Sequence, residues 1–541
     1  MTTHKLNALN DHLKTIGMSL ISPHQPQGVA WLLDKELAKT GGLLCDDMGL
    51  GKTLQMITLF ITNPLKRTLI VLPPALIPQW MTSLKKLLTS FSTNYYIKQF
   101  TSKTSAEIKS KLLLDDEPDT HYIIVSSYHM IINRNKYLSR DSCYPRLNFI
   151  WDRLILDEIH TIRNHKSKIY ATIENTKATI RWGMSGTPIN NKLTDLKNIL
   201  HYVLNYKDDI RPLKELIDTF ILRRIKHKVL TKPLPPCHIL DISIPFQSQK
   251  EKDIYNIVSD NVLNSIGLNN VNDLQHISLE LFERLVRLRQ ISTCPSIAIE
   301  ALNRKWFKKK PITNWNILDT PRFKEYIDKG IGQDIGNMSK VNYLVNDILK
   351  DTFNRNKYII FCHFKSEILF YKNILTQNGR SCCVIDGSVT KNDRIDILNG
   401  FMCSKMDIRN IVSWKCGFSP HTGENDIISE TIHNYLSYDI AIIQIDCGGT
   451  GLNLQGANRI YITSPHYNPA IEMQAIARAH RIGQKQPVLV KRLVLGSHDN
   501  ENEDYTIDSH IHSIQSTKIE IMVKNMKDRS YLMNSRQIVS Q

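Results

Sequence analysis

The stretch Gly42-Leu-Leu-Cys-Asp-Asp-Met-Gly-Leu-Gly-Lys-Thr53 (GLLCDDMGLGKT) decides how the rest of the chain is interpreted. An apolar strand runs into a glycine-containing turn, and a helix is predicted from about Thr53. This order directs backbone N–H groups and a helix N-terminus at a phosphate. The strict pattern G-x-x-x-x-G-K-[ST] fails at its first position, where Asp46 replaces glycine. Gly49 and Gly51 still allow the backbone to approach a ligand closely.

Within this stretch, Lys52 is predicted to bind the β- and γ-phosphates of a nucleotide, and the Thr53 hydroxyl to bind Mg²⁺. Because Gly-Lys-Thr alone also occurs by chance, the interpretation needs a second motif. The rest of the loop is predicted to surround the phosphates: Asp46, Asp47, Met48, Gly49, Leu50 and Gly51.

The second motif is Arg153-Leu-Ile-Leu-Asp-Glu-Ile-His160, an apolar strand that ends in two carboxylates. Asp157 is expected to hold Mg²⁺ through its water shell, and Glu158 to orient the attacking water. The alternative is a strand followed by an ordinary acidic turn. Two motifs in the right order, with strands between them, predict a site for ATP and Mg²⁺.

Short apolar runs alternate with longer helical stretches, which is typical of parallel strands in α/β folds. The runs form two groups, and the stretch between the groups is predicted to be mainly helical. The predicted strands are Thr68–Leu72, Tyr122–Ser126 and Arg153–Leu156 in the first group, and Tyr358–Cys362, Cys382–Ile385, Ala441–Ile445, Arg459–Ile462 and Val488–Leu493 in the second.

The net charge of +17 in 541 residues favours a polyanionic partner. Ten cysteines are scattered without a single C-x-x-C pair, so neither a disulfide framework nor a zinc ribbon is indicated. The sequence shows no secretion signal and no long apolar run, so we expect an intracellular protein with no membrane contact.

Further segments fall in the order of one known family: PHQPQGVAW (23–31), LPPALIPQW (72–80), SGTP (185–188), ILRRIK (221–226), LPP (234–236), RLRQISTCP (287–295), IIFCHF (359–364), DGS (386–388), GGTGLNL (448–454) and QAIARAHRIGQ (474–484). Together with the two motifs above they resemble the SWI/SNF-like ATPases of helicase superfamily 2. The resemblance covers roughly residues 20–500. It implies an ATP-driven motor that moves along double-stranded DNA.

The resemblance also assigns roles to single residues. Gln25 is expected to contact the adenine base, and Gly449, Gly451 and Gln474 to contribute to ATP binding. Arg478 and Arg481 are three apart on a predicted helix, so they share one face and are expected to reach the γ-phosphate as arginine fingers. The alternative is a basic helix face that packs on DNA or solvent. The expected nucleic-acid contacts are Pro73, Trp80, Thr187, His363 and Thr450.

The predicted architecture is two RecA-like parallel-sheet lobes with a helical connecting region and a C-terminal helical extension. The predicted boundaries are 1–235 for the ATP-binding lobe, 236–337 for the connecting region, 338–500 for the second lobe and 501–541 for the extension. A polar surface insertion is predicted at about 402–437.

Residues 151–191 look most like the branch that contains DNA-damage-tolerance ATPases and a transcription-release factor. Many members of that branch carry a zinc RING domain between the lobes. Between residues 189 and 357 this chain has only Cys237 and Cys294, so neither zinc nor ubiquitin-ligase activity is predicted.

The biological purpose stays open between transcription, repair and chromatin remodelling, with RNA polymerase or a chromatin or repair complex as the expected protein partner. The nucleus, or a viral factory or virion, is the expected location. The alternatives are a strand-separating DNA or RNA helicase, a viral transcription-termination ATPase, and a nucleic-acid-binding scaffold with an inactive site. The last would require damage at Lys52, Asp157, Glu158 or Arg481, and all four are present.

Overall fold

The computed structural model divides into two compact units, Met1–Pro233 and Leu234–Gln541. Among the described residues, each unit contains one seven-stranded sheet. The structure describes residues 23–89, 94–114, 119–132, 147, 149–187, 193–204, 211–230, 233–264, 279–297, 338–351, 356–402, 438–448, 452–497, 505–526 and 536–540.

The first unit is an α/β fold built on a parallel sheet. Its strands are β1 (Gly42–Leu44), β2 (Arg67–Leu72), β3 (Asn94–Gln99), β4 (Thr120–Ser127), β5 (Trp151–Asp157), β6 (Ala178–Met184) and β7 (Ile221–Leu222). Its helices are α1 (His24–Leu37), α2 (Lys52–Thr62), α3 (Ile77–Leu88), α4 (Ser105–Leu114), α5 (Tyr128–Ile131), α6 (Lys168–Glu174), α7 (Leu193–Leu204), α8 (Leu213–Phe220) and α9 (Lys226–Val229), with 3-10 turns at Pro74–Leu76 and Ile159–Ile162.

The strand order places the two sequence motifs at one edge of the sheet. Among the described residues the seven strands run in the order β3-β4-β2-β5-β6-β1-β7, and all their pairings are parallel. The three strands predicted in this half are present at β2, β4 and β5, where apolar runs are buried on both faces. Because β5, β6 and β1 are neighbours, the loops after their carboxyl ends meet.

The second unit repeats this architecture. Its strands are β8 (Cys237–Ile244), β9 (Tyr358–Cys362), β10 (Cys382–Ile385), β11 (Ile440–Gln444), β12 (Arg459–Ile462), β13 (Val488–Leu495) and β14 (Arg536–Ser540). Its helices are α10 (Gln249–Asn264), α11 (Leu279–Thr293), α12 (Ser339–Lys350), α13 (Lys365–Gln377), α14 (Lys391–Met402), α15 (Ile445–Gly448), α16 (Pro469–Ile476) and α17 (Ile507–Met526). No helix in the described part of the chain is long and apolar enough to cross a membrane.

The five strands predicted in this half are present at β9 to β13, within a parallel sheet of order β10-β11-β9-β12-β13-β8-β14. The structure differs from the prediction at both ends of the unit. The stretch 236–337, predicted to be mainly helical, begins with β8, which pairs with β13 over eight residues. The extension 501–541 contains α17 but ends in β14. The predicted insertion at about 402–437 lies almost wholly outside the described residues.

A buried ion pair links α1 to the first sheet. Arg153 on β5 donates from Nε and Nη2 to the two carboxylate oxygens of Glu36, at 2.6 and 2.5 Å. Trp182 and Asn63 donate to the same carboxylate at 2.9 and 2.7 Å. A buried charge is tolerated only when it is paired and hydrogen-bonded. The cluster therefore explains how a central strand carries an arginine.

Glu36→Gln is expected to lower the free energy of unfolding of the first unit by roughly 3 kcal/mol, because the Arg153 guanidinium would stay buried without its counter-charge. Urea unfolding followed by tryptophan fluorescence measures the change. Asp34→Asn makes the same chemical change on the exposed face of the same helix and is expected to have little effect. Equal effects of the two substitutions would contradict the stabilising role of the pair.

Candidate nucleotide site

The predicted phosphate loop follows β1 at the carboxyl edge of the first sheet and ends at the N-terminus of α2. Gly49 and Gly51 adopt positive φ angles of 85° and 81°, a conformation that glycine takes at little cost. A Cβ atom at Gly51 would lie 2.4 Å from Gln25 Nε2, so this close approach also requires glycine. The first-turn N–H groups of α2 and the helix dipole favour an anion at this point.

Lys52 is the first residue of α2, and its ammonium folds back over the loop. Nζ donates to the carbonyl oxygen of Asp46 at 2.7 Å and lies 3.5 Å from that of Asp47. A Cβ atom built on Gly186 would lie 3.6 Å from the same nitrogen, so the residues after β6 lie beside it. Thr53 is half-buried in the same turn.

Gln25, the predicted adenine contact, lies on α1 against this loop. Its Nε2 donates to the carbonyl oxygen of Leu50 at 3.2 Å, and the ring of His24 lies 3.0 Å from the same oxygen. Both side chains are buried. The structure therefore brings Gln25 next to the phosphate loop, while its contact with a base stays a prediction.

Two functional residues were missed by the sequence analysis. Arg223 and Arg224 follow β7, and both form hydrogen bonds with the phosphate loop. Arg224 forms a two-pronged contact with the carboxylate of Asp46, from Nε to Oδ1 at 2.9 Å and from Nη2 to Oδ2 at 2.5 Å. Asp46 is fully buried, which demands a counter-charge. That requirement, beside two consecutive arginines in ILRRIK, was the available signal.

Asp157 and Glu158 stand at the carboxyl end of β5. Trp80 donates from Nε1 to Asp157 Oδ2 at 2.8 Å, and the backbone N–H of Glu158 donates to Oδ1 at 3.0 Å. Burial, together with the neighbouring charge of Glu158, raises the pKa of Asp157 above its usual range, against the lowering effect of the Trp80 bond and of Lys52. Because the charge of Lys52 lowers the pKa of Asp157, these two residues lie within electrostatic reach of each other.

Glu158 has a strained backbone, with φ 51° and ψ 54° in the left-handed region. Such a conformation is uncommon outside glycine and tends to occur at functional sites. The hydroxyl and N–H of Thr161 donate to the Glu158 carbonyl oxygen at 2.8 and 3.0 Å. These two bonds hold the Glu158 backbone in place at the end of the strand.

His160 links the acidic pair to the segment after β6. Its Nδ1 lies 3.3 Å from Ser185 Oγ and 3.3 Å from Glu158 Oε2. Burial lowers the pKa of His160 to about 4, so the ring is neutral near pH 7. Its proximity to Glu158 is therefore not an ion pair.

Trp80 and Thr187 were predicted to contact nucleic acid, and the structure buries both side chains. Trp80 is 1% exposed because the apolar face of α3 packs inward and carries the indole to Asp157. Thr187 is 2% exposed, and its N–H donates to Ser185 Oγ at 3.1 Å. Pro73 is half-buried where β2 ends, beside exposed residues, and its role stays a prediction.

In the second unit, His363 follows β9 at the carboxyl edge of the sheet. Its ring stacks on His466 at 5.6 Å between centroids, and its Nε2 lies 2.7 Å from the carbonyl oxygen of Ser464. Burial lowers the pKa of His363 well below its usual range, so the ring is neutral. A nucleic-acid contact there stays a prediction. The predicted nucleic-acid contact Thr450 and the predicted ATP-binding residues Gly449 and Gly451 lie outside the described residues.

Arg478 and Arg481 lie on a turn, not on the predicted helix, because α16 ends at Ile476. The Gln484 side chain holds this turn by donating to the carbonyl oxygens of Ala457 and Ala479, at 2.9 and 3.2 Å. Burial lowers the pKa of Arg481, and no described residue forms a hydrogen bond or ion pair with its guanidinium. Gln474 is buried on α16, one turn before Arg478.

Comparison with known proteins accounts for this arrangement. Residues 24–207 match the SNF2-related domain, and residues 423–483 match the helicase conserved C-terminal domain. The chain therefore contains an SNF2-related domain and a helicase conserved C-terminal domain. It is an ATP hydrolase of helicase superfamily 2, and ATP is its substrate.

The SNF2-related chain is 25% identical to the "probable global transactivator" of Orgyia pseudotsugata multicapsid polyhedrosis virus, over 94% of this chain and 92% of that protein. It is also 25% identical to human "SWI/SNF-related matrix-associated actin-dependent regulator of chromatin subfamily A member 1", over 90% of this chain but 42% of that protein. A solved structure, "Sulfolobus solfataricus SWI2/SNF2 ATPase core in complex with dsDNA", covers 96% of this chain and 97% of that one, with 21% identity and a TM-score of 0.35.

Trp80→Phe is expected to lower kcat/KM for ATP about tenfold, because a buried carboxylate oxygen of this SNF2-related ATPase would lose a charge-assisted donor. Steady-state ATP turnover and DNA affinity are measured side by side. Trp151→Phe removes another buried indole N–H, one that donates to Leu147 at 3.3 Å, and serves as the control. A loss of DNA affinity with unchanged ATP turnover would instead support the predicted nucleic-acid contact of Trp80.

Proposed function

We propose that this ATPase hydrolyses ATP at the phosphate loop and acidic pair of the first unit and uses the energy to move along double-stranded DNA, displacing bound proteins. The observation that carries the proposal is the convergence of three loops at one sheet edge. There the Lys52 ammonium lies over the phosphate loop, beside Gly186 and within electrostatic reach of Asp157.

The residues fit a bound Mg²⁺. Both carboxylate oxygens of Asp157 accept hydrogen bonds, one from Trp80 and one from the Glu158 N–H. Thr53 adds a hydroxyl group in the first turn of α2. Carboxylate, hydroxyl and water oxygens are the ligands that Mg²⁺ prefers. When bound, the cation would neutralise charge that develops on the phosphates.

Each residue has a role in the proposed reaction. Lys52 and the N–H groups of the loop bind the β- and γ-phosphates. Glu158 accepts a hydrogen bond from the attacking water and orients it, and Thr161 keeps the Glu158 backbone in place. Arg478 and Arg481 of the second unit stabilise the charge on the transferred phosphoryl group. The desolvated Arg481 guanidinium suits a phosphate because anions bind a poorly hydrated cation strongly.

Double-stranded DNA as the track is supported by the net charge of +17 and by the match of residues 24–207 to the SNF2-related domain. Tracking of this kind depends on backbone contacts, so we expect binding that weakens steeply with salt and reads sequence poorly. Such a motor would work inside the cell, where its DNA is.

A role in transcription is the second candidate, because relatives of the chain carry names from transcription. The protein spans 92% of the viral relative named a probable global transactivator, whereas it spans 26% of a fungal relative named TATA-binding protein-associated factor mot1. RNA polymerase or another transcription protein would then be the partner that gives the motor its target.

Double-stranded DNA is expected to raise ATP turnover at least about tenfold and to support displacement of a triplex-forming strand without separation of the duplex strands. Phosphate release and strand displacement measure the two activities. Lys52→Ala is expected to abolish both, whereas Lys85→Ala, an exposed lysine on α3, should leave both unchanged. Equal turnover with and without DNA would contradict the proposal, and strand separation would favour a conventional helicase.

Arg481→Gln is expected to lower kcat about 10³-fold with little change in ATP affinity, because an arginine that contacts the transferred phosphoryl group acts mainly in the transition state. Single-turnover hydrolysis and binding of a fluorescent ATP analogue separate the two effects. Arg459→Gln, at the amino end of β12, is the matched control. A kcat equal to wild type would exclude the arginine-finger role.

A further inference from the structure

The Arg224 guanidinium forms hydrogen bonds with several elements around the candidate nucleotide site. Besides its two contacts with Asp46, it donates from Nη2 to Gln55 Oε1 at 2.8 Å and from Nη1 to the carbonyl oxygen of His24. Its backbone N–H also donates to Asp46 Oδ1 at 3.1 Å. One side chain thus joins the phosphate loop to α1 and α2.

These contacts lead through Asp46 to the proposed catalytic lysine. The Asp46 carboxylate is bound by Arg224 and by Gln55 Nε2 at 3.1 Å, while the Asp46 carbonyl oxygen accepts the bond from Lys52 Nζ at 2.7 Å. A fully buried carboxylate with four donors has little freedom to rotate. Its main chain, and with it the acceptor for Lys52, is therefore held in one position.

Arg223 also connects the segment after β7 to the phosphate loop. Its Nη1 donates to the carbonyl oxygens of Cys45 and Gly186, at 2.9 and 3.1 Å. The backbone adds two bonds, from Lys226 N–H to Asp47 Oδ2 at 3.1 Å and from Asp47 N–H to the Arg224 carbonyl oxygen at 2.9 Å. The segment 223–226, which forms these bonds, ends seven residues before Pro233, the last residue of the first unit.

Gly28 on α1 gives an independent indication that this space is reserved for the guanidinium. A glycine inside a helix is unfavourable relative to alanine. Here a Cβ atom would lie 1.9 Å from Gln55 Oε1 and 2.6 Å from Arg224 Nη2. Both atoms are the far ends of flexible side chains, so a methyl group would displace the network and not the backbone.

We infer that Arg224 is a positioning residue for ATP hydrolysis: through Asp46 it sets the phosphate loop and Lys52 from the segment that leaves the first unit. The inference rests on the proposed phosphate site. Lysine cannot replace this arginine, because an ammonium lacks the planar fork that meets both oxygens of Asp46 while also reaching Gln55 and His24.

Gly28→Ala provides the sharpest test because it removes no charged group. We expect KM for ATP to rise and kcat to fall, with kcat/KM down about tenfold, while the thermal midpoint does not drop because alanine favours the helix. Arg224→Lys is expected to show the same rise in KM, and Arg224→Gln a larger one. Asp34→Ala on the exposed face of α1 is the control for the first variant.

Arg181→Gln is the control for the arginine variants, because Arg181 is buried in the same unit but donates to the Tyr202 carbonyl oxygen, away from the loop. Simple loss of folded protein would lower kcat without raising KM. An unchanged KM in Gly28→Ala and Arg224→Lys, with Lys52→Ala inactive, would overturn the inference alone. Full activity in Lys52→Ala would instead overturn the proposed phosphate site.

Discussion

The candidate site depends on the ion pair between Asp46 and Arg224, whose charged atoms come from loops 178 residues apart in the chain. A buried carboxylate without a partner would shift its pKa or unfold the loop, since removing one member of such a pair leaves an uncompensated charge. With the pair formed, the loop can keep two glycines at positive φ and hold its carbonyl oxygens under Lys52. Asp46, which departs from the strict phosphate-loop pattern, thus helps to hold the loop in its conformation.

Parallel topology brings the remaining groups to this loop. Carboxyl ends of parallel strands share one edge, so the order β5-β6-β1 sets Asp157, Ser185 and the loop beside one another without any close relation in sequence. His160 then connects the end of β5 to the end of β6 through Ser185. A neutral ring serves this purpose well, because it can bond to a hydroxyl without adding charge to the acidic pair.

Both sheets also bury arginines on interior strands, and each arginine ties a helix to its sheet. In the first unit Arg153 binds Glu36 of α1. In the second, Arg492 of β13 binds Asp241 of β8 at 2.5 Å and Glu472 of α16 at 2.8 Å, and Gln515 of α17 accepts a further bond at 2.7 Å. The second cluster joins the helix before Arg478 to the C-terminal extension, so the turn with both arginines rests on a supported element.

The sequence by itself determined the fold class, the phosphate loop, the acidic pair and most interior strands, because each depends on local patterns: apolar runs, glycines at a turn, carboxylates after a strand. It did not reveal that Trp80 is buried, since an indole in a motif looks the same whether it faces solvent or a buried aspartate. It also placed Arg478 and Arg481 on a helix that ends two residues before Arg478, because the bond from Gln484 to Ala457, 27 residues away, is not a local pattern. Only the tertiary structure revealed β8 as part of the second sheet and Arg224 as the partner of Asp46. Both rest on contacts between distant residues, and a buried charge indicates that a partner must exist without indicating which residue it is.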